Sequence, residues 1–361
     1  MSHSNLSLRQ LMVLLFTALL SPAIQCLPGE SAALAGRAAW LSPLLALPIA
    51  LLVCMALYAL LRAMPVGTGL AGAMQAVLGK PFGNCLIAVY FLFGGAALCI
   101  NTKQYALRFL STSYRNAPLV LFILVLLAMV LWMGRGELAA FVRAGEIFYL
   151  ALSVALGLVL LFGLFQVEAR HILPVWIEDL PAVLYGTVPV LGVLGYGIFG
   201  AFLAGEVKRE EENRKKCLHW AVGLCGVLLA LEIVCLGNFG PILTARMDAP
   251  FFMMVKGIGV QGAFERVESV IIALWVLSDL LLLGLLIFAC RKMAAALGMK
   301  EDRKVVLPLI LVAALGAIVL LPDEFTRSQQ MESILRIGNL VLGVLLPLML
   351  YGIGKLRKII P

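Results

Sequence analysis

Residues 185–200 read Tyr-Gly-Thr-Val-Pro-Val-Leu-Gly-Val-Leu-Gly-Tyr-Gly-Ile-Phe-Gly. Five glycines and one proline interrupt a stretch that is otherwise apolar enough for the interior of a bilayer. Such a stretch unwinds at low cost, and its freed backbone groups must then be satisfied by protein, water or ligand. Glycine and proline also occur in membrane helices for packing alone. The stretch therefore predicts a membrane helix that is either broken or closely packed.

The composition of the whole chain agrees with a membrane protein. Of its 361 residues, 62% are hydrophobic and 13% are charged, whereas a soluble domain has about 25% charged residues. So few charges exclude a soluble enzyme, a disordered protein and a secreted disulfide scaffold. The three histidines form no catalytic or metal-binding motif, and we expect no enzymatic activity, no metal and no cofactor.

Apolar runs about 20 residues long, the length that crosses a bilayer, occur ten times. They are continuously apolar rather than alternating, which predicts helices instead of barrel strands. The predicted spans are 8–28, 39–61, 84–110, 117–133, 144–165, 182–204, 217–238, 268–290, 304–321 and 335–354. The sequence thus predicts an all-α polytopic membrane protein of about ten transmembrane helices, forming a single transmembrane domain over residues 1–361.

The basic residues indicate the orientation of these spans. Ten spans put both termini on one side of the bilayer, and most of the 28 Lys and Arg residues lie in the segments on that side. Because positive charge stays in the cytoplasm, we predict that both termini are cytoplasmic. The net charge of +8 follows from this bias and requires no nucleic-acid partner. The charged run 206–216 is either a solvated loop or a docking site for another protein.

The first span is also interrupted, because Ser21 and Pro22 lie inside it and proline disrupts a helix one turn back. The first and sixth spans open two groups of five, at about 8–165 and 182–354. Since five is odd, the two repeats have opposite orientations, and matching interruptions in inverted repeats indicate a binding site at the bilayer midplane. This arrangement predicts an inverted 5+5 repeat with broken helices 1 and 6.

Such a site suits a zwitterionic amino acid, because half-helix ends offer N–H groups to a carboxylate and carbonyls to an ammonium. We expect its residues on both interrupted helices. The candidate ligand-binding residues are Thr17, Ser21, Pro22, Ala23, Ile24, Gly195, Tyr196, Gly197 and Phe199.

Ionisable side chains inside the spans are expensive and are functional candidates by default. Four of them stand out: Lys103, Glu146, Glu232 and Asp279. Asp279, midway along the eighth span, either binds a cation or proton or is hydrogen-bonded to a neighbouring helix. Lys103 is the second ion or proton candidate, although it could also extend its side chain to the membrane surface. Glu146 lies close enough to a span end to be interfacial.

The segment between the seventh and eighth spans, 239–267, is too short to cross the bilayer a further time. Its mixture of apolar and polar residues predicts a short amphipathic helix, lying on the outer interface or covering the site.

Several motifs resemble the B-subunit (GerAB-type) family of spore germinant receptors. The most specific is the segment Glu265–Trp275, in which Glu-Arg-Val-Glu precedes an apolar run that reaches a tryptophan. It follows the proline-ended loop Gly240–Pro250. Weaker similarities are Ala38–Pro43 after the first span and the Met133–Glu137 and Ala144–Glu146 segments between spans four and five. The resemblance extends over essentially the whole chain.

The resemblance implies a fold of the amino acid–polyamine–organocation transporter superfamily (LeuT-like). It implies a subunit that binds a nutrient, commonly an amino acid, in the spore inner membrane and acts with receptor A and C subunits. Two alternatives remain: an amino acid permease coupled to protons or sodium, and an assembly subunit that binds no ligand. The last stays open because residues 21–25 lack the glycine-rich character usual at this position.

Overall fold

The first helix, which carries five of the predicted ligand-binding residues, lies at the centre of a helical bundle. The computed structural model describes residues 6–112, 118–210, 213–247, 249–257, 267–299, 302–320 and 325–360. Within these ranges the chain is mostly helical, and the extended pairing is limited to one isolated parallel bridge between Leu6 and Val207.

The α-helices are numbered in chain order. They are α1 (Leu8–Ala35), α2 (Ser42–Arg62), α3 (Leu70–Leu78), α4 (Lys80–Thr112), α5 (Leu119–Arg135), α6 (Leu138–Leu164), α7 (Ala169–Ile172), α8 (Leu180–Gly195), α9 (Gly197–Leu203), α10 (Asn213–Arg246), α11 (Pro250–Gly257), α12 (Val267–Ala296), α13 (Val306–Leu315), α14 (Phe325–Gly338) and α15 (Leu346–Leu356). Four 3₁₀ segments, at Gly36–Leu41, Ile177–Asp179, Ala204–Glu206 and Asp302–Val305, and two π-helical segments, Gly316–Leu320 and Asn339–Leu345, complete the helical structure.

Each of the ten predicted spans overlaps helical structure, which confirms the all-α prediction. In the described part of the chain, six helical segments are long and apolar enough to cross a membrane, and Leu119–Arg135 is a shorter apolar helix. The ninth and tenth predicted spans include the π-helical segments, so that α13 has only 10 residues. The total of ten spans and the division into two repeats remain predictions.

The helix α1 packs against α6, α8, α10 and α12. It begins with a capping box, in which the Ser7 Oγ accepts from the Gln10 N–H at 3.2 Å and the Gln10 Oε1 accepts from the Ser7 N–H at 3.0 Å. Because α1 packs against α8, the first helices of the two predicted repeats are in direct contact.

The predicted break in the first helix is wrong for this structure. The helix α1 continues for 28 residues through both Pro22 and Pro28. The carbonyl of Thr17, in the turn that precedes Pro22, accepts a hydrogen bond of 2.6 Å from the Ser278 hydroxyl of α12. This bond joins α1 to α12 one residue before Ala18, whose carbonyl would be the helical acceptor for an N–H at position 22. The helix is thus continuous where the local sequence favours opening it, and it is packed there against α12.

The interruption in the sixth span is a single residue and not an unwound segment. The helix α8 ends at Gly195 and α9 begins at Gly197, while Tyr196 between them keeps helical torsion angles (φ −59°, ψ −22°). The Tyr196 N–H donates to the Val193 carbonyl at 3.2 Å, as in a tightened 3₁₀ turn. The predicted stretch of free backbone groups is therefore absent from this described segment.

The helix α11 confirms the short helix predicted after the seventh span, although α10 first continues to Arg246 through a kink at Gly240. The rings of Phe251 and Phe252 each lie 5.6 Å from the ring of Trp275 on α12. One face of the helix thus packs against α12, while Met253, Lys256 and Gly257 are exposed. Residues 258–266, which include part of the motif Glu265–Trp275, lie outside the described residues.

Candidate functional site

The structure divides the predicted site residues of α1 among different surroundings. Thr17 and Ser21 face α12, where the Thr17 carbonyl bonds to Ser278 and the Ser21 hydroxyl donates to Asp279. Ala23 is fully buried in the core. Ile24 lines a small apolar cavity next to Trp275.

The predicted residues of the sixth span are divided in the same way. A side chain at Gly195 would meet the backbone of Asn339, so this glycine permits close packing against the tenth span. Phe199 is fully buried, and its ring stacks on Phe93 with centroids 6.2 Å apart. Gly197 lines a large cavity on the other side of Tyr196. Of the nine candidates, the structure brings only Pro22 and Tyr196 to one polar cavity.

This polar cavity lies between α1, α4, α8 and α14 and measures about 50 Å³. Its wall carries charges of both signs: Glu30 of α1 and Glu332 of α14 are acidic, and Arg336 of α14 is basic. In the structure Arg336 forms an ion pair with Glu30 and thereby connects α14 to α1. Since a water molecule needs at least 10–15 Å³ of such volume, the cavity holds only a few waters in this conformation.

The rest of the wall of the polar cavity consists of neutral polar groups and of apolar residues such as Val193 and Leu335. The Asn101 side-chain amide donates to the Tyr196 hydroxyl at 2.9 Å, and the Asn339 amide donates to the Gly192 carbonyl at 2.9 Å. The Asn339 Oδ1 is buried with no hydrogen-bond partner among the described residues. A buried acceptor without a partner is costly, and Asn339 is one of the residues that line this cavity.

A chain of hydrogen bonds connects the polar cavity to the middle of the bundle. The Gln25 Nε2 donates to Glu332 at 3.3 Å, and the Gln25 Oε1 accepts from Arg108 at 3.2 Å. Arg108 in turn forms an ion pair with Asp279, which also accepts the Ser21 hydroxyl. One glutamine thus links the polar cavity at the α1–α14 interface to a buried ion pair between α4 and α12.

The ion pair of Arg108 and Asp279 is deeply buried. The side chains are 9% and 1% exposed, respectively. The guanidinium also lies 5.0 Å from the ring centroid of Tyr105 and 5.2 Å from that of Trp275, within the range of cation–π attraction. Asp279 therefore has an internal cationic partner at the position where the sequence suggested a bound cation or proton.

The other ionisable candidates have different environments. Lys103 is 1% exposed and donates to the Ala317 carbonyl at 2.9 Å, so it does not extend to the membrane surface. Glu146 is partly exposed and accepts from Gln10 at 3.0 Å, as an interfacial residue would. Glu232 is fully buried on α10, and neither of its carboxyl oxygens has a hydrogen-bond partner among the described residues.

Sequence reasoning missed four residues that define the site: Gln25, Arg108, Glu332 and Arg336. Arg108 and Arg336 lie inside predicted spans, so counting every intramembrane charge would have identified both. Gln25 lies beside the predicted break in the first span. Glu332 lies just before the tenth span and carries no signal by itself.

One group near the cavity has the donor types of a metal site. The Cys26 sulfur and one oxygen each from Glu30 and Glu332 lie within 4.8 Å of one another. Their partners are protein groups: Cys26 donates to Glu332 at 2.8 Å, and Arg336 pairs with Glu30. The wall of the cavity therefore offers one basic group, Arg336, beside its two carboxylates, and both signs of charge that a zwitterion requires are present.

Comparison with solved structures defines the class of protein. MhsT, solved in complex with L-phenylalanine, superposes with a TM-score of 0.69 over 97% of this chain and 89% of its own, at 13% identity. A mutant manganese transporter of Eremococcus coleocola gives a TM-score of 0.57 over 94% of this chain and 78% of its own, at 14% identity. The chain therefore has a LeuT-type transporter fold. The six long apolar helical segments of the described residues agree with a multi-pass membrane protein.

The sequence places the chain within a particular family. Residues 5–326 match the Spore_permease family of spore germination proteins, so the chain belongs to that family. This assignment confirms the resemblance noted from the motifs. No curated protein matches the chain.

Proposed function

We propose that the protein is the nutrient-sensing subunit of a spore germinant receptor and that its ligand is an amino acid bound in the polar cavity. The observation that carries the proposal is the pair of opposite charges on the cavity wall, at the interface of α1, α8 and α14. Glu30 and Glu332 suit the ammonium group of an amino acid, and Arg336 suits its carboxylate. MhsT, of the same fold, was solved with L-phenylalanine, which supports a ligand of this class.

Ligand entry requires the cavity to enlarge, because about 50 Å³ is below the roughly 300 Å³ of small-molecule sites. The Glu30–Arg336 ion pair, which connects α1 to α14 across the cavity, is the contact that a zwitterion would replace. Its ammonium would bind Glu30 and its carboxylate would bind Arg336, so the two helices could separate without leaving a charge unpaired. Ligand binding would thus favour a second conformation, which partner subunits could detect.

The partners and the membrane follow from the family. We propose that the chain acts with receptor A and C subunits in the spore inner membrane, with both termini in the cytoplasm. The support is the membership of the spore germination family and the distribution of Lys and Arg among the loops. The run 206–216 remains a candidate docking site for such a subunit.

The main alternative is an amino acid permease driven by protons or sodium, and a non-binding assembly subunit is the third possibility. Sensing is favoured over sodium-coupled transport because Asp279, one of the two candidates for binding an ion or proton, already pairs with Arg108. Both solved structures described above have a transporter fold, which is compatible with transport as well as with sensing. Transport by this protein is therefore tested directly.

The decisive experiment measures binding of the twenty L-amino acids to the purified protein by calorimetry. For each amino acid that binds, we expect its amide, which lacks the carboxylate, and its des-amino analogue to bind at least tenfold more weakly, because each leaves one charged wall group unpaired. Glu332→Gln should weaken binding about 10- to 100-fold, whereas Glu137→Gln, at an exposed ion pair far along the chain, should not.

The outcomes separate the three functions. Saturable binding without uptake by proteoliposomes supports the sensing subunit, and uptake of the bound amino acid supports the permease. Absence of binding by every amino acid supports the assembly subunit. Equal binding of the amide and of the parent amino acid would contradict the assigned roles of the charged residues.

A further inference from the structure

A second and larger cavity lies between α2 and α10. It measures about 420 Å³, within the range of small-molecule sites, and shares no lining residue with the polar cavity. Most of its wall is apolar and comes from Leu11, Leu15, Val53, Leu57 and Ile198. We call it the α2–α10 cavity. Its size and its separation from the polar cavity indicate a ligand of a different kind.

Two residues of this cavity wall carry a buried polar atom that has no partner among the described residues. Asn213, only 8% exposed, lines the cavity and its Oδ1 has no hydrogen-bond partner among the described residues. The Nε1 of Trp220, also in the wall, is buried and equally without a partner in the described part of the chain. The two residues are seven positions apart on α10 and thus on one face, about 10 Å apart along the axis. A ligand here must offer a donor near Asn213 and an acceptor near Trp220.

The end of the cavity near Asn213 is basic. The Asn213 side-chain amide donates to the Lys208 carbonyl at 3.2 Å, and Lys208, Arg62 and Arg209 are exposed residues of the cavity wall. Among the described residues of the wall the acidic one at this end is Glu210, and it forms an ion pair with Lys216. The ligand's group at this end is therefore anionic by charge complementarity.

The outer faces of the two bounding helices are apolar. Leu52 of α2, next to Val53 in the wall, is 61% exposed, and Val222 of α10, two residues after Trp220, is 50% exposed. In a multi-pass membrane protein such side chains face lipid. The cavity therefore combines an apolar interior beside the bilayer with a basic end, the combination that binds anionic lipids.

We propose that the α2–α10 cavity binds one anionic phospholipid with a hydroxyl-bearing headgroup, such as phosphatidylglycerol. An acyl chain occupies the apolar wall, and the ester carbonyl accepts from Trp220 Nε1. The phosphate lies near Arg62 and Lys208, and a headgroup hydroxyl donates to Asn213 Oδ1. This site is independent of the proposed nutrient site, and the lipid reaches it from the bilayer.

The test places the full-length protein in nanodiscs of phosphatidylcholine that contain either brominated phosphatidylglycerol or brominated phosphatidylcholine with identical chains. Bromine quenches nearby indoles, and the difference between wild type and Trp220→Phe isolates the fluorescence of Trp220. We expect at least twofold stronger quenching of this signal by the phosphatidylglycerol label. The double variant Arg62→Gln/Lys208→Gln should abolish the preference.

The matched control, Lys80→Gln/Arg135→Gln, removes the same charge at exposed positions outside the cavity wall and should keep the preference. Native mass spectrometry should find one phosphatidylglycerol retained by wild type and control, and at least fivefold less by the cavity variant. Equal quenching by both labels, or equal loss in the control, would overturn the proposal. Retention of a free fatty acid instead of a phospholipid would also overturn it.

Discussion

Breaking the Arg108–Asp279 ion pair is expected to destabilise the protein strongly. In Arg108→Met, the fully buried Asp279 loses its cationic partner, and the Gln25 Oε1 loses its hydrogen-bond donor. Removing one member of a buried ion pair costs about 3–5 kcal/mol, because the remaining charge stays desolvated. We expect Arg108→Met to lower the free energy of unfolding by an amount in this range.

A second ion pair provides the matched control. Arg303 pairs with Glu137, but the side chains are 53% and 74% exposed. Solvent screens such a pair, and its loss is worth about 0–1 kcal/mol. Arg303→Met removes the same functional group as Arg108→Met. The difference between the two variants in the free energy of unfolding therefore measures the effect of burying the ion pair.

The free energy of unfolding is measured in mixed micelles by titration with sodium dodecyl sulfate and circular dichroism. The double variant Arg108→Met/Asp279→Leu should recover most of the lost stability, because apolar side chains of similar volume replace a buried ion pair with little cost. A loss below about 1 kcal/mol in Arg108→Met, or a double variant as unstable as the sum of the single ones, would refute the reasoning. A wild-type protein stabilised by sodium relative to potassium at equal ionic strength would show that Asp279 binds a cation after all.

Further predictions concern single residues. Gly195→Ala should destabilise the protein by about 1–3 kcal/mol in the same titration, because the added Cβ would lie 2.5 Å from the Asn339 carbonyl oxygen. Gly197→Ala should be tolerated, because the nearest neighbour of its Cβ would be Trp220 at 3.6 Å. Equal effects would contradict the packing described here. Tyr196→Phe removes the acceptor of the Asn101 amide and should cost about 1 kcal/mol of stability; an unchanged free energy of unfolding would exclude this hydrogen bond. Glu232→Gln should unfold at the same detergent concentration as wild type, because no described ionic partner is lost; a large loss would mean that the carboxyl group is needed.

The transmembrane character, the helical class and the family were readable from the sequence. Hydrophobic runs are local properties, because solvation by lipid acts on each segment separately. The motifs around Gly240 and Trp275 are local as well, because each consists of residues close together in the sequence. The same local reasoning failed at Pro22. A proline lowers helix stability wherever it stands, but α1 packs against helices far along the chain, and Ser278 of α12 bonds to its backbone at Thr17.

Charge pairing required the tertiary structure for the same reason. Arg336 and Glu30 are 306 positions apart, and Asp279 reaches Ser21 over 258 positions. A sequence shows that such charges are too costly to bury alone, and it thereby predicts that partners exist. Which partner each charge obtains depends on how the helices pack, since ion pairs and hydrogen bonds act over a few ångströms in space. The packing of the helices therefore determines that Asp279 pairs with an arginine, and that opposite charges lie around one small cavity.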